Sequence, residues 1–96
     1  MLRGSLVPYT LRLRIEKHDR SRYEWLLAGA GGVIARGAEP DITFCLAASS
    51  LGLVPGAPVA IEYCGVQAGT YPASRLHHEP AAVSNDIMEV IAASRP

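Results

Sequence analysis

Hydrophobic and polar positions alternate strictly from residue 9 to residue 18, with Leu11, Leu13 and Ile15 on one side and Arg12, Arg14, Glu16 and His18 on the other. A period of two marks a half-buried strand. Asp19, Arg20 and Ser21 break the pattern, and residues 23–28 resume it with Tyr23, Trp25 and Leu27 on a shared face. Aromatic side chains favour a pleated surface, so the two segments are expected to form a hairpin. Gly29, Gly31 and Gly32 supply a second tight connection into a short third strand over residues 33–36.

The period then changes to that of a helix. Glu39, Pro40 and Asp41 read as its start, because proline suits the first helical position and carboxylates favour the positive end of the dipole; Gly52 reads as its stop. Ile42, Cys45, Leu46 and Ser49 fall on one face at i, i+3, i+4, i+7 spacing. The opposite face is Phe44, Ala47, Ala48 and Leu51, which leaves Thr43 and Ser50 as the polar strip. A helix apolar on nearly every side is either deeply buried or covered by a second surface. Phe44, Ala48 and Leu51 are therefore either the seat of another layer of the domain, such as the C-terminal helix, or a subunit or partner interface.

Pro55 and Gly56 predict a type II turn into a fourth strand, where Val59, Ile61 and Tyr63 alternate with Ala60, Glu62 and Cys64. Residues 65–76 read equally as loop or as a hairpin partner around residues 67–71. Residues 84–95 place Ile87, Met88, Val90 and Ile91 at helical spacing, with Ser84 as N-cap and Asp86 in the first turn. The expected order is β-β-β-α-β-(β)-α. It defines one small α+β domain over residues 1–96, a small antiparallel sheet with the helices packed on one face.

Composition narrows the function classes. The 96 residues are 49% hydrophobic and only 19% charged, with no net charge; the charged share is typically ~25%. A disordered tail and a uniformly basic nucleic-acid module are both excluded. A chain this short buries only ~60–65% of the surface it exposes when unfolded, so its apolar surplus favours self-association as a homodimer. The zero balance also conceals a polarity. Residues 1–36 carry seven basic and three acidic side chains, whereas residues 37–96 carry two and six.

Two cysteines are too few for a secreted disulfide framework, and residues 1–10 contain no apolar run resembling a secretion signal, so a cytoplasmic protein is expected. The longest uncharged stretch, residues 42–61, is interrupted by Gly52, Pro55, Gly56 and Pro58, so no membrane partner is expected.

Candidate chemistry is sparse. The glycines of residues 29–32 precede a strand-like Val33-Ile34 and lack the Gly-Lys-Ser/Thr and following helix of a phosphate cradle. Cys45, Cys64, His77 and His78 contain the atoms for zinc, but the cysteines are nineteen positions apart and the histidines are adjacent. No metal or cofactor is expected. Cys64 activated by His77 or His78 is the best enzyme reading, without a nameable orienting acid or oxyanion hole.

The basic group is better defined: Arg12 and Arg14 share one face of the first strand, and Arg20 and Arg22 bracket the hairpin turn. Together they suit a partner's carboxylates or the phosphates of a nucleic acid, or form a solvated face that discourages edge pairing.

The stretch RIEKHDRSRYEWLLAGAGGVIARGAEPDITFCLAASSL, residues 14–51, resembles the N-terminal portion of HicB-type antitoxins. The order of strand, charged turn, aromatic-bearing strand, glycine turn, short strand and helix carries the likeness. Residues 28–32 stand where the family has a Pro-x-x-x-Gly turn, and Asp41-Ile42-Thr43 where it has an acidic-acidic-Ala helix opening. The resemblance implies a three-strand-plus-helix unit that neutralises another protein by contact. LGLVPGAPVAIE, residues 51–62, looks like the Leu-Gly-Leu-x-Pro-Gly-x-x-Val turn of AbrB-like regulators and FeoA-like modules, with Ala57 at the usual Asp.

The leading expectation is thus a non-enzymatic regulator, inhibitor or accessory subunit that binds another protein. A nucleic-acid-binding regulator and a small thiol enzyme are the alternatives.

Overall fold

A computed structural model describes residues 10–94. The expected strand start at Tyr9, the reading of residues 1–9 as free of a secretion signal, and the charges of Arg3 and Arg95 lie outside the described residues. The described elements run β1 (Leu11–Asp19), β2 (Arg22–Gly29), β3 (Gly32–Glu39), α1 (Ile42–Ser49), β4 (Pro58–Tyr63), β5 (Val66–Pro72), α2 (Ala73–His78) and α3 (Pro80–Ala93). The strands form one sheet in the order β3-β2-β1-β4-β5, so the fold is α+β.

The sheet is mixed rather than wholly antiparallel. β1 pairs antiparallel with β2, β2 with β3, and β4 with β5, but β1 and β4 run parallel, with Leu13 opposite Ile61 and Ile15 opposite Tyr63. The reason is the intervening α1: a helical crossover returns the chain to the same end of the sheet, where a tight turn would reverse it.

Alternation along the strands decides what each face does. Leu13, Ile15, Trp25, Leu27, Val59, Ile61, Tyr63 and Ala68 are buried beneath the helices. From above they meet Ile42, Cys45 and Leu46 of α1, Leu76 of α2, and Val83, Ile87 and Ile91 of α3. α1 lies over β2 and β3 and packs against α3, while α2 and α3 lie toward β5.

Several boundaries differ from the sequence expectation for identifiable reasons. Asp41 is the N-cap of α1, its Oδ1 accepting from the Phe44 N–H at 2.9 Å, so Pro40 precedes the helix instead of opening it. Ser50 belongs to the C-cap and is buried, its hydroxyl donating to the Ala47 carbonyl at 2.9 Å, and so is not on a polar strip. The Val54 carbonyl accepts from the Ala57 N–H at 3.0 Å across Pro55 and Gly56. Gly56 keeps a negative φ, so this is not a type II turn.

Residues 66–72 are strand, paired with β4 through a two-residue turn in which Cys64 and Gly65 have φ of 48° and 86°. Positive φ at both positions matches the twist of a hairpin. α3 begins at Pro80, four residues ahead of Ser84, which lies inside the helix and caps nothing. A proline at the first helical position loses no hydrogen bond, and Ala81 and Ala82 propagate the helix from it.

Candidate functional site

The three helices described cover one face of the sheet, and no described element covers the other. Strand register places the residues of that open face in rows, because partners directly opposite share a face. Arg12 lies between Ala28 and Ala60, with Val33 beyond Ala28. One step along, Arg14 lies between Leu26 and Glu62, with Arg36 beyond Leu26. Next, Glu16 faces Glu24, with Ala38 beyond. Three arginines thus surround a half-buried apolar centre of Leu26 and Ala28. A shallow depression of ≈ 700 Å³ lies between Arg14, Leu26, Arg36 and Ala38, and another of ≈ 340 Å³ adjoins it at Arg12, Ala60 and Glu62.

The charges divide into paired and unpaired sets. Arg14 Nε approaches Glu62 at 3.6 Å. Glu24 receives Arg22 at 2.9 Å and His18 at 3.1 Å, and the Arg22 hydrogen bond above all holds its carboxyl below the usual range. Among the described residues Arg12 and Arg36 make no ion pair. Of the four arginines expected to act together, Arg12, Arg14 and Arg22 share the open face. Arg20 projects from the β1–β2 turn, whose backbone is tied by the Ser21 N–H donating to Asp19 Oδ1 at 2.9 Å.

Arg36 was not part of that group, although it completes the cluster. Its place beside Leu26 depends on a bulge that shifts the β2–β3 register between Leu27 and Ala28. Simple alternation through the glycine turn does not reveal such a shift.

No protein-family profile, curated protein or solved structure matches the chain.

The second expected set occupies the opposite side of the molecule. Phe44 and Leu51 project from the helical layer, 55% and 66% exposed, and Val54, in the loop that follows, is 72% exposed. Ala48 is half-buried against the core. No single partner surface contacts both this ridge and the arginine face without wrapping around the domain.

The thiol readings meet geometric obstacles. Cys64 sits in the turn at one end of the β4–β5 hairpin, and His77 and His78 follow β5 at the other. A seven-residue strand separates them by ~20 Å, so neither histidine activates Cys64. Cys45, on the inward face of α1, is fully buried, its thiol directed at the Tyr23 carbonyl at 4.0 Å. Burial, aided by Glu39 and Asp41, pushes that thiol up to about 12, where it is a packing group rather than a nucleophile. The separated cysteines and histidines do not assemble into the zinc quartet considered from the sequence, and no metal-binding cluster occurs among the described residues. No helix among them is long and apolar enough to cross a membrane.

Proposed function

We propose that the chain is a non-enzymatic protein-binding module, acting as an inhibitor, antitoxin-like regulator or accessory subunit, that holds an acidic segment of another protein against the open sheet face. The observation that carries this reading is the pair of guanidinium groups, Arg12 and Arg36, that make no ion pair among the described residues and flank half-buried Leu26 and Ala28. Arginine without an internal partner is already poised for bidentate contact with carboxylates, and the apolar strip between gives a partner's side chains area to bury. The likeness of residues 14–51 to HicB-type antitoxins adds independent support for a protein target.

A nucleic acid fits the face less well. Phe, Tyr and Trp are absent from the open face among the described residues: Tyr23, Trp25, Tyr63 and Tyr71 all belong to the helix-covered face. Strand recognition therefore lacks its usual stacking platforms. Glu16, Glu24 and Glu62 further dilute the positive potential that phosphate binding requires.

The test is an affinity capture from the native host after nuclease treatment, using wild type and the Arg12→Ala/Arg36→Ala double variant. A protein retained by wild type and bound at least ~10-fold more weakly by the variant supports the proposal, since each lost charged hydrogen bond is worth ~1.5–3 kcal/mol. Retention of nucleic acid that disappears on nuclease treatment overturns it in favour of a nucleic-acid regulator.

A further inference from the structure

We infer that the outer edge of β3 and the exposed ridge of α1 together form a two-fold interface with a second copy of this chain. The Cys64 N–H donates to the Ile15 carbonyl at 2.9 Å, so the backbone polar groups of Ile15 point toward β4. Because these groups alternate in direction along a strand, those of Arg14 and Glu16 point toward β2, where they pair with Leu26 and Glu24. Trp25 and Tyr23 then bond to β3 through Gly37 and Glu39. Arg36 and Ala38 are left with their N–H and C=O groups directed outward, where no described element meets them.

The two edges of the sheet are not equivalent. β5 ends at Pro72, carries Gly69 at φ +109°, and is irregular where it pairs between Ala60 and Glu62. Proline and bulges of this kind prevent strand addition. β3 has its own bulge between Val33 and Ala35 and is followed by Pro40, but over the five residues from 35 to 39 it has neither proline nor lysine and keeps an unbroken register with β2. Its outer groups are free to continue the sheet.

The register of self-pairing follows from charge and face. Antiparallel partners must lie on the same face, and a two-fold axis at Arg36 opposes two guanidinium groups. An axis at Gly37 avoids this. It places Arg36 opposite Ala38 of the partner subunit, in a hydrogen-bonded pair that the symmetry repeats. It also brings small side chains to the centre, which suits close approach.

The helical layer supplies the rest of the contact. α1 lies over β2 and β3, so extending the sheet through β3 sets the two copies of α1 about two strand spacings apart. That separation, ~10 Å, is the interaxial distance of packed helices. Residues 42–61 include no charged side chain to oppose the approach, and Phe44 and Leu51 are exposed on and just beyond α1. A stable interface buries ~800 Å² per partner, more than five residues of strand pairing supply, so the two-fold contact has to include the exposed groups of the helical layer as well. Another protein's edge strand would supply the ladder without a matching apolar helix, whereas a second copy supplies both. This interface meets the arginine face at Arg36 and Ala38, which line its depression, whereas Phe44 and Leu51 belong to the helical layer on the opposite side of the sheet, so substitutions there read self-association without altering the arginines.

Sedimentation equilibrium on the full chain, from about 1 to about 200 μM, tests the inference. Wild type is expected to be a dimer over the upper part of that range. Ala38→Pro removes only an outward N–H and so should keep the circular dichroism of the wild type while weakening association at least ~10-fold. Phe44→Glu/Leu51→Glu changes exposed positions alone, should weaken association to a similar degree, and serves as the deciding variant if Ala38→Pro does not fold. A wild type monomeric throughout, a dimer unaffected by the deciding variant, or an open-ended series of oligomers overturns the two-fold interface.

Discussion

Gly37 owes its identity to a neighbour. A Cβ built there would lie 2.8 Å from Cε2, Cζ2 and Nε1 of Trp25, closer than packed atoms come. The indole fills the place of the missing side chain, while its Nε1 donates to Glu39 at 3.4 Å. Gly37→Ala should therefore displace the ring and lower stability by about 1–3 kcal/mol, as overpacking does, read by chemical denaturation together with a shift in tryptophan emission. An unchanged midpoint would show that the ring moves without cost. Cys45 offers a second measurement. Its thiol is raised from 9.0 to about 12, so the folded state keeps a proton that the unfolded chain releases. The associated stability is complete below pH 9 and is lost as pH rises through 12. Cys45→Val should flatten the fall in stability over that window relative to wild type, in denaturation curves recorded at stepped pH.

At the scale of elements, caps and crossovers decide what periodicity alone leaves open. Asp41→Ala should cost about 1 kcal/mol, because the Phe44 N–H loses its acceptor and α1 has no other acidic group in its first turn. Asp41→Asn should recover most of it, and equal loss in both variants would assign the effect to charge.

The face of α1 that enters the core, Ile42, Cys45, Leu46 and Ser49, was legible from helical spacing, as was the inward set of β1. α2 was not: its six residues include Arg75, His77 and His78, and tertiary packing of Ala73 and Leu76 holds them helical more than any local pattern does. The parallel pairing of β4 with β1 was equally hidden, since strand direction is set by the crossover and leaves no mark on alternation. For the site, Arg12 and Arg14 followed from alternation, but Arg36 required the bulge. Phe44 and Leu51 were visible as an apolar face, although spacing could not say that the other helices leave them exposed.

The molecule as a whole sets its arginines on the sheet face that no described helix covers and its exposed apolar groups over the helices, and the two candidate contact surfaces meet at the β3 edge, at Arg36 and Ala38. The parallel seam has a consequence for the order in which the chain folds. β1, β2 and β3 are joined by short turns, as are β4 and β5, so each group can form from contacts near in sequence. Uniting them requires Leu13 to find Ile61 across the whole of α1, closing a long loop before any contact repays its entropy. Truncation of Leu27 should then slow folding, whereas Ile61→Val should act mainly by speeding unfolding, a contrast visible in the two arms of a chevron plot. Equal effects on the folding arm would contradict it. The junction of β1 with β4 is thus the last joint of the sheet to close and the first to part.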